Sequence, residues 1–116
     1  MKFLMTYESN SKVPPTPEQM AAIGKFSQEM AASGKLLMTG GLVRPTKGTR
    51  VQLTAGKFSA TDGPYAETKE LIDGFALIQV NSREEALEIA QRFMTVAGDG
   101  VGEVLQVFDS ADIPSR

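Results

Sequence analysis

A chain of 116 residues, 41% of them hydrophobic, is long enough to bury one core and too short for two ordinary domains, so one domain over residues 1–116 is expected. Its 12 Lys and Arg nearly balance 14 Asp and Glu, and a formal charge of −2 sets up no field that attracts nucleic acid or an anionic membrane. Cys, His and Trp each number 0, which excludes disulfides, thiolate nucleophiles, imidazole-based dyads and triads, and metal sites built on His or Cys.

Lys2 to Glu8 alternates, with Phe3, Met5 and Tyr7 on one side and Leu4 and Thr6 on the other, the period of a first strand. The opening residues show no signal-peptide pattern, and no stretch approaches the roughly 18 apolar residues of a membrane span, so a cytoplasmic protein is expected. After Pro14-Pro15, Thr16-Pro17-Glu18-Gln19 combines an N-cap, a proline at the first helical position and a Gln three residues after the cap. Met20, Ile23, Phe26 and Met30 then recur at helical steps as one apolar stripe, and Gly34 supplies the stop.

Leu36 to Val43 is an apolar run containing Gly40-Gly41, followed by a turn at Arg44 to Gly48. A strand resumes at Arg50 to Leu53, and Gly56 favours a tight reversal into Lys57 to Thr61, so the middle of the chain reads as an antiparallel meander. Asp62-Gly63-Pro64 breaks the pattern, and Tyr65 to Leu71 reads as an irregular helical turn. Phe75 to Val80 has the length of a central strand. Ser82-Arg83-Glu84-Glu85 reads as a second capping box opening a helix whose buried face is Ala86, Ile89, Ala90 and Phe93. Gly98 to Gly100 ends that helix, and Glu103 to Phe108 is the last strand.

The order is two split βαβ units joined by a hairpin region, the ferredoxin-like plan of an α+β protein. Two helices cover only one sheet face, so a homodimer is expected in which the other faces pack together as a barrel-like core.

The densest cluster of reactive groups is Asp62-Gly63-Pro64-Tyr65-Ala66-Glu67-Thr68-Lys69-Glu70. Asp62 and Glu70 are candidates for a general acid and base, with Lys69 or Tyr65 stabilising an oxyanion. Turn chemistry accounts for the same residues: Asp62 caps, Gly63 and Pro64 shape, and Lys69 pairs with a carboxylate. Arg50 is the best anion-binding candidate, and Tyr7 is a second phenol for a ring-bearing ligand as well as a packing residue. Asp62, Glu67 and Glu70 are oxygen ligands of the type Mg²⁺ takes, but nothing in their spacing singles out a metal, and no cofactor is expected. Gly98-Asp99-Gly100-Val101-Gly102 follows a helix and precedes a strand, the reverse of a phosphate loop, and reads as a connector.

The string DGPYAETKE followed by Gly74-Phe75 resembles the signature of the YCII-related family, also called the DGPF family. The similarity extends to the Met-Lys-Phe-Leu-Met opening, Gly40-Gly41-Leu42 with Pro45, Thr49-Arg50-Val51 and the Ser82 to Ala86 helix start. The resemblance implies a dimeric α+β barrel of ferredoxin-like subunits and specifies no reaction. Some members of the family place a His and an Asp in a cleft as a proposed acid/base pair, and one removes chloride from a chlorinated hydroxyquinol. With no His here, Asp62 is the one candidate that carries over. The last strand reads Glu103-Val104-Leu105 where relatives carry an arginine in the third place, which weakens an anion site there.

Two functions remain open. One is binding or proton-transfer (lyase-type) chemistry on a small polar or aromatic molecule in a cleft near the DGPY segment. The other is a noncatalytic accessory module acting through protein contacts, which the occurrence of related domains fused to sigma-type factors suggests for transcription initiation. The absence of a basic patch disfavours direct nucleic-acid binding in either case.

Overall fold

A computed structural model describes residues 1–11, 15–42, 48–62 and 73–108. Strand β1 (Lys2–Ser9) leads to helix α1 (Pro17–Ala32), β2 (Leu36–Gly41), a hairpin of β3 (Thr49–Thr54) and β4 (Lys57–Asp62), β5 (Gly74–Gln79), helix α2 (Arg83–Ala97), and two short strands, β6 (Gly100–Val101) and β7 (Val104–Val107).

Local chemistry accounts for the helix ends. Thr16 and Gln19 exchange reciprocal hydrogen bonds at the start of α1, with Pro17 at the first helical position. Ser82 accepts from the Glu85 amide at 3.1 Å, but the Glu85 carboxylate turns to Lys35 Nζ at 3.9 Å, so the expected second box forms in one direction only. Gly34 and Gly98 follow the two helices with φ of 78° and 105°, which a side chain would disfavour.

In the main sheet β1 pairs antiparallel with β5 on one edge and with β7 and β6 on the other, and β2 pairs β5. The order β2-β5-β1-β7 around two helices is that of a ferredoxin-like α+β fold. The meander reading is corrected: β2 bonds β5, while β3 and β4 bond each other as a separate two-stranded sheet. Period-two patterning marks strands but not their partners. Gly100-Val101, read as part of a connector, pairs with Glu8 and Ser9.

Phe3, Met5, Met30, Ile78, Val80, Ala86 and Ile89 form the buried core, flanked by Phe26, Leu36, Ala76, Ala90 and Val104. Met20 belongs to the α1 stripe but is exposed, because it lies beside a cleft and outside the packed core. Met1 closes the sheet end through two bonds with Val80, of 2.9 and 2.8 Å.

The 98–104 connection passes close under β1. A Cβ on Gly102 would collide with the carbonyl oxygen of Thr6, and one on Gly100 would meet Tyr7 Cε1 at 2.6 Å. Gly102→Ala is therefore expected to lower the unfolding free energy by at least about 2 kcal/mol in urea titrations. Gly24→Ala, where a Cβ meets nothing within 4 Å on the α1 surface, is expected to raise it by about 0.5–1 kcal/mol.

Candidate functional site

The period of two along β1 sends Phe3 and Met5 into the core and places Tyr7 beyond it, where the helices and the sheet part. There the structure opens into a cleft of about 1650 Å³, wide enough for a small molecule and its water. One wall is aromatic: the Tyr7 ring meets Phe93 edge-to-face at 5.3 Å, and Phe93 lies 6.3 Å from Phe26. Arg92 sits 5.3 Å from the Phe26 ring centroid. Met20, Ile23 and Met94 add adaptable apolar surface.

The Tyr7 hydroxyl donates to the carbonyl of Gly98 at 2.8 Å and approaches that of Asp99 at 3.3 Å. It ties the end of α2 to β1, so the residue expected as a ligand phenol presents its ring to the cleft while its proton is engaged by backbone.

Opposite Tyr7 in the β1–β5 register lies Gly74, and the residue before it, Asp73, is where the backbone and the site converge. Its Oδ2 accepts from the Ser9 amide at 2.6 Å, its amide donates to the Tyr7 carbonyl at 2.6 Å, and its carbonyl accepts from the Leu42 amide at 2.8 Å. Asp73 is half-buried, and it lines the cleft. Sequence reasoning passed over it; the available signal was an acidic residue directly before the Gly74-Phe75 strand.

Among the described residues four acidic ones line the cleft, Glu8, Asp73, Asp99 and Glu103, and the one lysine there, Lys35, faces Glu85. A neutral or cationic guest suits these walls better than an anion. The carboxylates do not converge: no group of three acidic ligands able to hold a metal occurs among the described residues.

The remaining sequence candidates lie elsewhere. Asp62 ends β4, where its Oδ1 accepts from Thr49 Oγ1 at 2.9 Å across the hairpin. Arg50 is exposed on β3 opposite Thr61. Neither lines the cleft, so within one chain the structure does not bring them together with Tyr7. Tyr65, Lys69 and Glu70 lie outside the described residues.

A model of the YCII-related domain matches residues 1–111. An uncharacterized protein of Rhizobium meliloti (strain 1021) is 32% identical over 100 residues, covering 83% of this chain and 80% of its own. Among solved structures, the 5-chloro-2-hydroxyhydroquinone dehydrochlorinase of Burkholderia phenoliruptrix AC1100, in complex with 2,5-dihydroxybenzoquinone, matches with a TM-score of 0.48 at 14% identity, covering 96% of this chain and 97% of that one.

Tyr7→Phe removes the bond to Gly98 and keeps the ring. It is expected to cost about 1 kcal/mol of stability and to speed amide exchange at Gly98 and Asp99 before that of the β1–β5 ladder, as hydrogen-exchange spectroscopy would record.

Proposed function

We propose that the chain, which belongs to the YCII-related family, binds a small neutral or cationic ring-bearing molecule in the cleft between its sheet and helices and supports carboxylate-based proton transfer there. The observation that carries this reading is the pairing of an aromatic wall, Tyr7, Phe93 and Phe26, with the half-buried Asp73 carboxylate at the same strand end. Aromatic faces supply area for a flat ring, and a carboxylate accepts from a ring hydroxyl or ammonium. With no His and no Cys, acid–base work at this site falls to carboxylates and phenols.

Asp73 takes the place first considered for Asp62, because it lines the cleft and Asp62 does not. Its bond to the Ser9 amide orients one oxygen and leaves the carboxylate set in the wall by backbone on both sides. In the assembled protein a second copy covers the open face of the sheet, which neither helix reaches.

Hydroquinone and catechol are suitable probes. At millimolar concentration each is expected to raise the melting temperature of the wild type by a few degrees in thermal-shift measurements. The shift is expected to fall at least about fivefold in Asp73→Asn, which keeps an oxygen for the Ser9 amide but removes the charge. Because the walls are acidic, 2,5-dihydroxybenzoate is expected to bind less well than hydroquinone, with the gap narrowing as salt is added. No shift with any of these phenols, or equal shifts in the wild type and Asp73→Asn, would overturn the assignment.

A further inference from the structure

With 6 Met and no Cys, the chain carries all of its sulfur as thioethers, and these are the groups a peroxide oxidises. They occupy different environments. Met5 and Met30 are 8% accessible and belong to the core. Met94 is half-buried on α2. Met1, Met20 and Met38 are open, at 47%, 58% and 58%. Met1 bonds Val80 at the sheet end, and Met38 pairs with Leu77 on the sheet face away from the helices. Of these three open residues, Met20 is the one that lines the cleft.

The α1 stripe explains why Met20 is open. Met20, Ile23, Ser27 and Met30 all line the cleft from α1, at the three- and four-residue steps that share one side of a helix. Met30 is packed, whereas Met20, about 15 Å nearer the start of the helix, is not. Helices and sheet have parted before the level of Met20, so its side chain extends the apolar surface of Ile23 outward to solvent.

The start of α1 does not depend on that side chain. Thr16 and Gln19 cap the helix reciprocally, and the Met20 amide donates to the Thr16 carbonyl at 2.9 Å. A change of polarity at the Met20 sulfur therefore alters the wall of the cleft without unmaking the helix.

Oxidation by a peroxide is a balanced step. The thioether sulfur attacks one peroxide oxygen, an S–O bond forms as the O–O bond breaks, and with hydrogen peroxide the second oxygen leaves as water carrying both protons. Sulfur loses two electrons and the peroxide gains them. The product is a polar, chiral sulfoxide. Its oxygen accepts hydrogen bonds from water where the thioether offered a ring soft, polarisable surface.

We infer that Met20 is an oxidative modification site that controls binding in the cleft: hydrogen peroxide converts it to the sulfoxide before the other cleft methionines, and the sulfoxide weakens binding of the ring-bearing guest. This regulation rests on the proposed binding of such a guest and is a further property of the same cleft. Met5 and Met30 are shielded by the core and Met94 by partial burial, so in the folded protein the change at the cleft falls on one sulfur.

Wild type, Met20→Leu and Met94→Leu are treated with hydrogen peroxide, desalted, and mapped by peptide mass spectrometry, with circular dichroism confirming that the helices remain. Met20 is expected to be converted at least about tenfold faster than Met5 and Met30, and ahead of Met94. Hydroquinone binding is then measured by isothermal titration calorimetry on treated and untreated samples. The ratio of the two affinities is read within each protein, so any effect of the substitution itself cancels. Treatment is expected to weaken binding at least about fivefold in wild type and in Met94→Leu, and not in Met20→Leu. Conversion of Met20 no faster than that of Met30 overturns the inference and leaves the reading of the cleft standing. Undiminished binding by oxidised wild type, or an equal loss in Met20→Leu, does the same. Untreated wild type that binds no hydroquinone overturns the reading of the cleft, and the regulation falls with it.

Discussion

The central strand β1 is hydrogen-bonded along both edges, to β5 on one and to β7 and β6 on the other, so its register is set from two sides and its side chains are divided between two faces. Toward the helices run Phe3, Met5 and Tyr7, which pass from core to cleft along a single strand. Toward the open side runs Leu4, flanked by Leu77 and Leu105 at the same level. A shift of one residue would put the aromatic of the cleft on the uncovered face and Leu4 in the core. Cleft and open apolar row are two consequences of the same alternation.

Asp73 and Gly102 show how the cleft's floor is held. Asp73 joins the end of β1 to the entry of β5 through its side-chain bond to the Ser9 amide and its backbone bond to the Tyr7 carbonyl, its carbonyl holds the Leu42 amide after β2, and Gly102 allows the chain after β6 to pass against the Thr6 carbonyl. Neither residue is in the hydrophobic core. They act by permitting close backbone approach and by satisfying backbone groups at a strand end that would otherwise lack partners. Tyr7 completes the arrangement by bonding the end of α2, so its ring is positioned from the strand and from the helix end together.

The flatness of the molecule, 48 × 45 × 19 Å, follows from having one helical layer on one sheet. Two layers account for that thickness, and the second sheet face has nothing from the described residues of its own chain to bury it. The hairpin does not fill the gap in its own subunit.

Much of the architecture was legible in the residues themselves. The Thr16 and Gln19 cap, Gly34, the Ser82 cap and the turn at Gly56 are local, and local hydrogen bonds and dihedral preferences act within a few positions of their cause. The periods of two and 3.6 likewise marked the two helices, the longer strands and most of the core, while Met20, Ile23 and Phe93 of the helical stripes line the cleft. What was not legible depends on distance along the chain. The Ser9–Asp73 bond spans 64 positions, the Tyr7–Gly98 bond spans 91, and no local pattern announces either. By itself the sequence determined a ferredoxin-like order of elements and a chemistry without imidazole or thiol, because composition and short-range periodicity suffice for both. Only the tertiary structure decided that β3 and β4 leave the main sheet, that Asp73 and not Asp62 lines the cleft, and that Tyr7 spends its proton on backbone, because strand partners and long-range hydrogen bonds are chosen by packing and not by neighbours in the chain.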